Sequence, residues 1–475
     1  MRRFLTGVDI EVLSQQGQRE IVIDEQTVLT SVAHEVAERL GVKIVRRDSA
    51  AQVSAQTSSK GEPAFARKPS SSEAKPVFGV LPRKPAARAG HARPGLDLDD
   101  AATVEAWKQE FPILRDIIHV GNCSQSPQSV RVRQAIETYL DNWLTVGMDW
   151  EYWMAEVNRA KAEFARLINA DPDEIAVSTS VSEAVSSVAS ALEFSKRRKV
   201  VATEAEFPTV GHVWLAHQKY GGKVEFVPVR DGEVRMEDYE RYIDEDTLIA
   251  SVTHVYYQNG FMQDIGTITK LAHDRGALVL VDAYQSAGTI PIDVKALDVD
   301  ILTTGNLKYL LGIPGIAFLY VRKELVPKMK PAVTGWFGQE NPFAFKVHYL
   351  DYASTTRRFD TGTPPVMPAF AARAGMEIIN EVGPQNIWKR IQRLSTRCIE
   401  GARARGMVVA SPLDVTRKGA TTAIRVPDPH AVEEEMKRRN IIVSARGDVI
   451  RIAPHFFTAE EDIDRVLDEL RDILK

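Results

Sequence analysis

Asp282 follows Leu278-Val279-Leu280-Val281, so it stands at the carboxyl end of a buried strand, where a carboxylate needs a cationic partner or several hydrogen bonds. Lys308 poses the same question: it follows the short strand Ile301-Leu302-Thr303-Thr304 and precedes a loop running from Gly312 through Pro314 to Gly315. The two could simply pair with each other, and residue types alone leave that reading level with a functional one. A third place for chemistry is Ser178-Thr179-Ser180-Val181-Ser182-Glu183-Ala184, between a strand and a helix, where free backbone N–H groups and the helix dipole suit a phosphate. A plain helix cap is the alternative reading of Ser182. Arg451, in Val449-Ile450-Arg451-Ile452-Ala453-Pro454-His455, carries a planar, permanently charged fork. Arg446 and Arg358 read as surface or structural arginines.

The elements that must position these residues are regular beyond residue 100. Helical stretches alternate with β-branched runs such as Ile175-Ala176-Val177, Lys199-Val200-Val201-Ala202, Leu248-Ile249-Ala250-Ser251-Val252 and Ala277-Leu278-Val279-Leu280-Val281. That alternation predicts an α/β fold with a mostly parallel sheet covered by helices on both faces, its binding chemistry at the carboxyl ends of the strands. We expect this large domain to span 101–370. After it, one long helix carrying Ile378, Ile379, Ile387, Ile391 and Leu394 leads into a smaller α/β domain, 371–475. Its strands fall near 422–426, 441–444 and 449–452, between helices at 430–439 and 459–474.

Ahead of the large domain, residues 1–45 form a small amphipathic module. Thr6 with Asp9 resembles a helix-opening cap, Gly17 closes that helix, and Glu20-Ile21-Val22-Ile23 alternates. Val28, Leu29, Val32, Ala33, Val36, Ala37 and Leu40 fall on one helical stripe that Gly41 ends. Residues 46–100 read as a flexible basic linker rich in Ser, Ala and Pro, with ten basic and three acidic residues as far as Gly95.

A chain of 475 residues with 44% apolar side chains can bury a large core. A net charge of −4 with both signs interspersed argues against nucleic acid as the partner. No run approaches the length of a membrane span, and two cysteines make neither a disulfide framework nor a zinc site, which predicts a cytoplasmic protein without a metal.

The stretch from Asp282 through Gln285 to Lys308 and the Gly/Pro loop resembles the cofactor segment of class V aminotransferases, the fold type I group that includes cysteine desulfurases, kynureninases and isopenicillin-N-epimerase-like proteins. The resemblance covers about residues 105–475 and implies pyridoxal 5′-phosphate as cofactor. By it, Lys308 forms the Schiff base, Asp282 holds the ring nitrogen protonated, and Gln285 bonds the phenolic oxygen. It further implies that Val181 and Ser182 bind the phosphate, that Phe207 stacks on the ring, and that Asn306 lies beside the cofactor. His254, after strand 248–253, falls on a family histidine, although a core histidine remains open. Thr363, in Gly362-Thr363-Pro364, matches a loop that reaches the phosphate of a neighbouring subunit, which implies a homodimer with shared sites. Arg451 would grip the substrate carboxylate.

A cysteine desulfurase needs a thiolate on a mobile loop well after the lysine. Cys398 lies instead in the long helix and Cys123 far upstream, so that chemistry is disfavoured. Kynureninase features are partial: Phe207, Gly335-Trp336-Phe337-Gly338 and Arg358-Phe359 are present, but Tyr256-Tyr257-Gln258 replaces the family's Asn-Tyr-Arg. The expectation is transamination of a small α-amino acid, with a Cβ-lyase or epimerase as the alternative. A scaffold that keeps the fold without catalysis is the reading from another class. Residues 1–46 resemble the N-terminal segment of ethanolamine-utilisation microcompartment proteins, which would give the module a shell or docking partner.

Overall fold

The computed structural model describes residues 95–475 and, before them, 3–5, 10, 13–14, 16–23, 27–29 and 31–46. The chain divides into two units, Met1–His91 and Ala92–Lys475. In the first, β1 (Arg3–Leu5) pairs in parallel with β3 (Thr27–Leu29), and β2 (Glu20–Ile23) with β4 (Lys43–Arg46). Helix α1 (Ser31–Leu40) buries Ala33, Val36 and Ala37 with Ile21, Ile23 and Val42. The helical stripe predicted from Val28 is therefore corrected at its start: the backbone of 27–29 is taken up by pairing with β1, and the helix begins at Ser31. The expected cap at Thr6 and Asp9 lies outside the described residues, as do 47–94 of the linker.

The second unit opens with α2 (Ala101–Lys108), capped by the Asp100 carboxylate, and with β5 (Ile118–His119). Helices α3 (Val130–Val146) and α4 (Trp150–Ile168) follow. Then β6 (Ile175–Ser178), α5 (Val181–Ser190), β7 (Lys199–Thr203), α6 (Pro208–His217), β8 (Lys223–Val227), α7 (Met236–Tyr242), β9 (Thr247–Thr253), α8 (Ile265–Asp274), β10 (Leu278–Asp282), β11 (Ile301–Gly305) and β12 (Ala317–Val321) build one seven-stranded sheet and its helices. The strand order is β6-β12-β11-β10-β9-β7-β8, with β12 alone antiparallel to its neighbours. β6, β7, β11 and β12 are buried at every position, as expected of a sheet covered on both faces. Along β10, Val279 and Val281 enter one core and Leu280 the other. The carboxyl ends of β6, β7, β9, β10 and β11 share one edge.

The single long helix expected after residue 370 is two, α9 (Val366–Val382) and α10 (Pro384–Ala404). Gly383 takes φ +88°, and Pro384 cannot donate the hydrogen bond that would continue α9. Beyond them β13 (Thr422–Arg425), α11 (Pro429–Arg438), β14 (Ile441–Ile442), β15 (Ser444–Arg446), β16 (Val449–Ile452) and α12 (Glu460–Ile473) complete the chain. β13-β16-β15 form a small antiparallel sheet, whereas β14 pairs in parallel with β5, from far upstream. That pairing continues through a bridge between Gly121 and Ala453 and carries the loop 121–126 toward the edge that bears Asp282. Among the described residues no helix is long and apolar enough to cross a membrane.

Candidate active site

Asp282 ends β10, is buried, and accepts the Tyr284 backbone N–H at 2.8 Å. Burial pushes its carboxyl pKa up, against the pull of that N–H and of Lys308. Lys308 lies three residues beyond β11. Its amine sits 4.1 Å from the centroid of the Tyr284 ring and 5.7 Å from that of Phe207. Burial lowers the amine to about 8, although Asp282 and Cys123 pull the other way. The structure thus brings Asp282, Lys308 and Phe207 together. Gln285 joins them through the loop: its amide donates to the Cys123 carbonyl at 3.1 Å, and its amide oxygen is buried without a partner.

Beside this cluster lies a cavity of about 190 Å³ lined by Val181, Ser182, Phe207, Asp282 and Tyr284, with Pro314 of the Gly/Pro loop. Helix α5 starts there. Its cap is Ser180, whose hydroxyl accepts the Glu183 N–H at 3.2 Å, so the capping role open to Ser182 in the sequence falls two residues earlier. Ser182 is exposed, and the Val181 and Ser182 N–H groups precede the first intrahelical bond. Glu183 fastens the Thr179 backbone at 2.8 Å and accepts the Thr361 hydroxyl at 2.7 Å, which ties the 361–364 loop to the start of α5. Thr363, two residues on, is exposed.

Arg451 is almost wholly buried, at 1% exposure, yet among the described residues no carboxylate pairs with it. One guanidinium nitrogen donates to the Tyr257 carbonyl at 2.9 Å, and the other to the hydroxyls of Ser124 at 3.0 Å and Ser444 at 2.6 Å. Its charge acts on the Lys308 amine, as does that of Arg446 on exposed backbone. A buried cation with only neutral acceptors suits an incoming anion. Arg358 is structural, donating to the carbonyls of Ala353, Val326 and Met329. Cys398 is buried in α10 and pushed up to about 11 by that burial. Cys123 is different: remote in sequence, it is brought beside Lys308 because β5 pairs with β14 and the Ser126 N–H donates to the Leu307 carbonyl at 3.1 Å.

Of the predicted residues, Val181, Ser182, Phe207 and Asp282 line the small cavity, whereas Lys308, Gln285, Thr363, Arg451, Asn306 and His254 do not. Asn306 is fully buried with its amide pressed onto Gly312, where an added Cβ would stand 1.3 Å from the Asn306 amide oxygen. His254 donates its backbone N–H to the Asp282 carbonyl at 2.9 Å, but its side chain borders another cavity, of about 1080 Å³, with Tyr239, Gln263 and Arg417. Burial holds that imidazole at about 4, hence neutral. Sequence reasoning overlooked Tyr284, Ser124, Ser444 and Glu206. Glu206 is buried with both carboxyl oxygens unpartnered, and burial and Asp282 push its pKa well up. Only Glu206 had a usable signal, as a carboxylate three residues after the buried strand that ends at Thr203.

Pyridoxal phosphate requires an amine, an anion for its ring nitrogen, donors for its phosphate and a partner for its phenolic oxygen. Lys308, Asp282, the first turn of α5 and the Gln285 amide, whose second N–H is free to donate, fit that set.

The Aminotransferase class-V family model matches residues 123–462. A Bacillus subtilis protein described as the uncharacterized aminotransferase YcbU is 40% identical over 368 residues, covering 77% of this chain and 97% of its own. A kynureninase of Geobacillus thermodenitrificans is 26% identical over 399 residues, 80% of this chain and 93% of its own. The apo structure of a cysteine desulfurase from Thermococcus onnurineus NA1 shares the fold, with a TM-score of 0.71 at 23% identity over 78% of this chain and 98% of that one. The family match begins well after residue 46, and the resemblance of the front module to microcompartment proteins gains no support from these relatives. The chain belongs to the aminotransferase class-V family of pyridoxal-phosphate enzymes.

Proposed function

We propose that the chain is an aminotransferase acting on a small α-amino acid, with Lys308 as the residue that carries the cofactor. The observation that carries this reading is the Lys308 amine, lowered to about 8 beside the buried Asp282 and next to a cavity that opens on the N-terminus of α5. Bound there, pyridoxal phosphate supplies an electron sink for charge developing at the substrate α-carbon. Asp282 would hold the ring nitrogen's proton, Val181 and Ser182 the phosphate, and Phe207 a ring face. Asn306 and His254 would act from behind, one by fixing the Gly312 turn and the other by its backbone bond to Asp282. Arg451 would bind the substrate α-carboxylate, and the Lys308 amine, once free, would move the α-proton.

The exposed Thr363, on a loop tied to α5 through Glu183, supports a homodimer in which that loop reaches the neighbouring site. Two free thiols fit a reducing, cytoplasmic setting. A second reading, a Cβ-lyase, is favoured by Cys123, which lies near enough to act electrostatically on the Lys308 amine.

The test is spectroscopic. Purified protein should show a visible cofactor band that is absent from Lys308→Ala, and hydride reduction should fix the cofactor on the Lys308 peptide by mass spectrometry. Amino acids that shift the band are then assayed with and without an α-keto acid. Turnover that needs the keto acid supports transamination, keto-acid-independent release of a β-substituent supports the lyase, and absence of the Lys308 adduct overturns both.

A further inference from the structure

β10 and β11 run in parallel register, Asp282 opposite Thr303, and the Ala283 N–H extends the ladder by donating to the Thr303 carbonyl at 2.9 Å. Tyr284 and Gly305 therefore leave the sheet side by side. The Tyr284 ring lies directly on Gly305: an added Cβ there would stand 2.2 Å from both the ring Cζ and the hydroxyl oxygen, and 2.6 Å from Cε2. No other residue at 305 leaves room for the ring. The ring so placed carries the Lys308 amine 4.1 Å from its centroid, closer than Phe207 at 5.7 Å. Among the described residues no carboxylate stands within ion-pair distance of that amine. Tyr284 also fixes Asp282 through its backbone N–H, so one residue touches both members of the Asp282–Lys308 pair.

We propose that Tyr284 is a positioning residue for Lys308, its ring, seated in the notch left by Gly305, holding the charged amine beside the small cavity. The inference rests on Lys308 being the reactive amine. A cation over an aromatic face in a desolvated site is attracted by the ring quadrupole, and the attraction fades once the amine is neutral. The ring thus orders the resting ammonium and releases the neutral form, which is the one that makes bonds. The other groups acting on this amine are Asp282 and Cys123, which raise its pKa, and Arg451 and Arg446, which lower it. Burial of the Tyr284 phenol, with Asp282 nearby, pushes it up to about 12, so the ring stays neutral while Lys308 titrates.

The experiment follows carbamylation of Lys308 by cyanate in the full-length, cofactor-free chain, read on the Lys308 peptide by mass spectrometry from pH 6 to 10. Only the neutral amine reacts, so the rate profile reports its protonation without any turnover. The wild type should have its midpoint near 8. Tyr284→Leu should lower it by roughly half to one pH unit, a three- to tenfold loss in proton affinity, whereas Tyr284→Phe should restore the wild-type profile. Gly305→Ala, which displaces the ring without removing it, should follow Tyr284→Leu, and it decides the question if the leucine variant does not fold. Coincident profiles for Tyr284→Leu and Tyr284→Phe, or for Gly305→Ala and the wild type, overturn the proposal. Failure of the underlying assignment is separate: it is the absence of a hydride-trapped cofactor on Lys308 in the wild type.

Discussion

Replacing Lys308 by Met should make the cofactor-free chain more stable at pH 7, because the folded protein holds that amine where its charge is poorly solvated. Its pKa falls from 10.5 to about 8 on folding. Unfolding restores the ordinary value, so between pH 8 and 10.5 the unfolded state binds more protons than the folded one and stability rises with pH across that window. Below 8 both states are protonated and the full cost is present. At 1.36 kcal/mol per pH unit, a shift of about 2.5 units costs about 3 kcal/mol at pH 7. Methionine fills the same stem volume without the charge. Asp282 then keeps only the Tyr284 N–H, and losing its cationic neighbour offsets about 1 kcal/mol, leaving a net gain of about 2 kcal/mol. Urea denaturation followed by circular dichroism, on the wild type and Lys308→Met from pH 7 to 10, measures the difference. The gap should be widest at pH 7 and close toward pH 10. Stability curves that stay parallel, or a variant weaker than the wild type at pH 7, would refute the picture of a desolvated ammonium.

Arg358→Met strands the carbonyls of Ala353, Val326 and Met329 and should cost about 3 kcal/mol or more in thermal or urea unfolding. Arg451→Lys keeps a charge but loses the fork held by Ser124, Ser444 and the Tyr257 carbonyl, and should raise the amino-acid KM about tenfold or more while leaving the cofactor band in place. Ser180→Ala removes the α5 cap and should lower stability by about 1 kcal/mol and weaken equilibrium binding of pyridoxal phosphate, both measurable by titration. Deletion of residues 1–95 should leave the visible cofactor band and turnover unchanged, and loss of the band would show that the front module supports the catalytic unit.

The sequence exposed what depends on local pattern. Asp282 and Lys308 could be found because each follows an apolar run, and that periodicity also located β9, β10, β11 and β16 within a residue or two. The break at Gly383-Pro384 was visible too, but the hydrophobic stripe continues from Ile378 to Ile391 across it and hid the turn. What could not be read are features set by register or by distant pairing. Tyr284 meets Gly305 only because Asp282 lies opposite Thr303, and Cys123 comes near enough to act on the Lys308 amine only because β5 crosses the chain to pair with β14. The buried state of Arg451 follows from the same crossing, since one of its partners, Ser124, belongs to that loop.

The crossing also has a mechanical meaning. Asn122 donates to the Ala453 carbonyl at 2.8 Å and the Ser124 and Ser444 hydroxyls lie 2.7 Å apart, so the upstream loop and the strand bearing Arg451 are stitched into one rigid piece. Two residues later, Ser126 is anchored to the Leu307 carbonyl, next to the lysine. Because the Ser126 hydroxyl also donates to the Asn122 amide oxygen at 2.9 Å, a tilt of the C-terminal sheet would pull on the loop that bears the lysine, with the hydroxyl brackets of the guanidinium still attached.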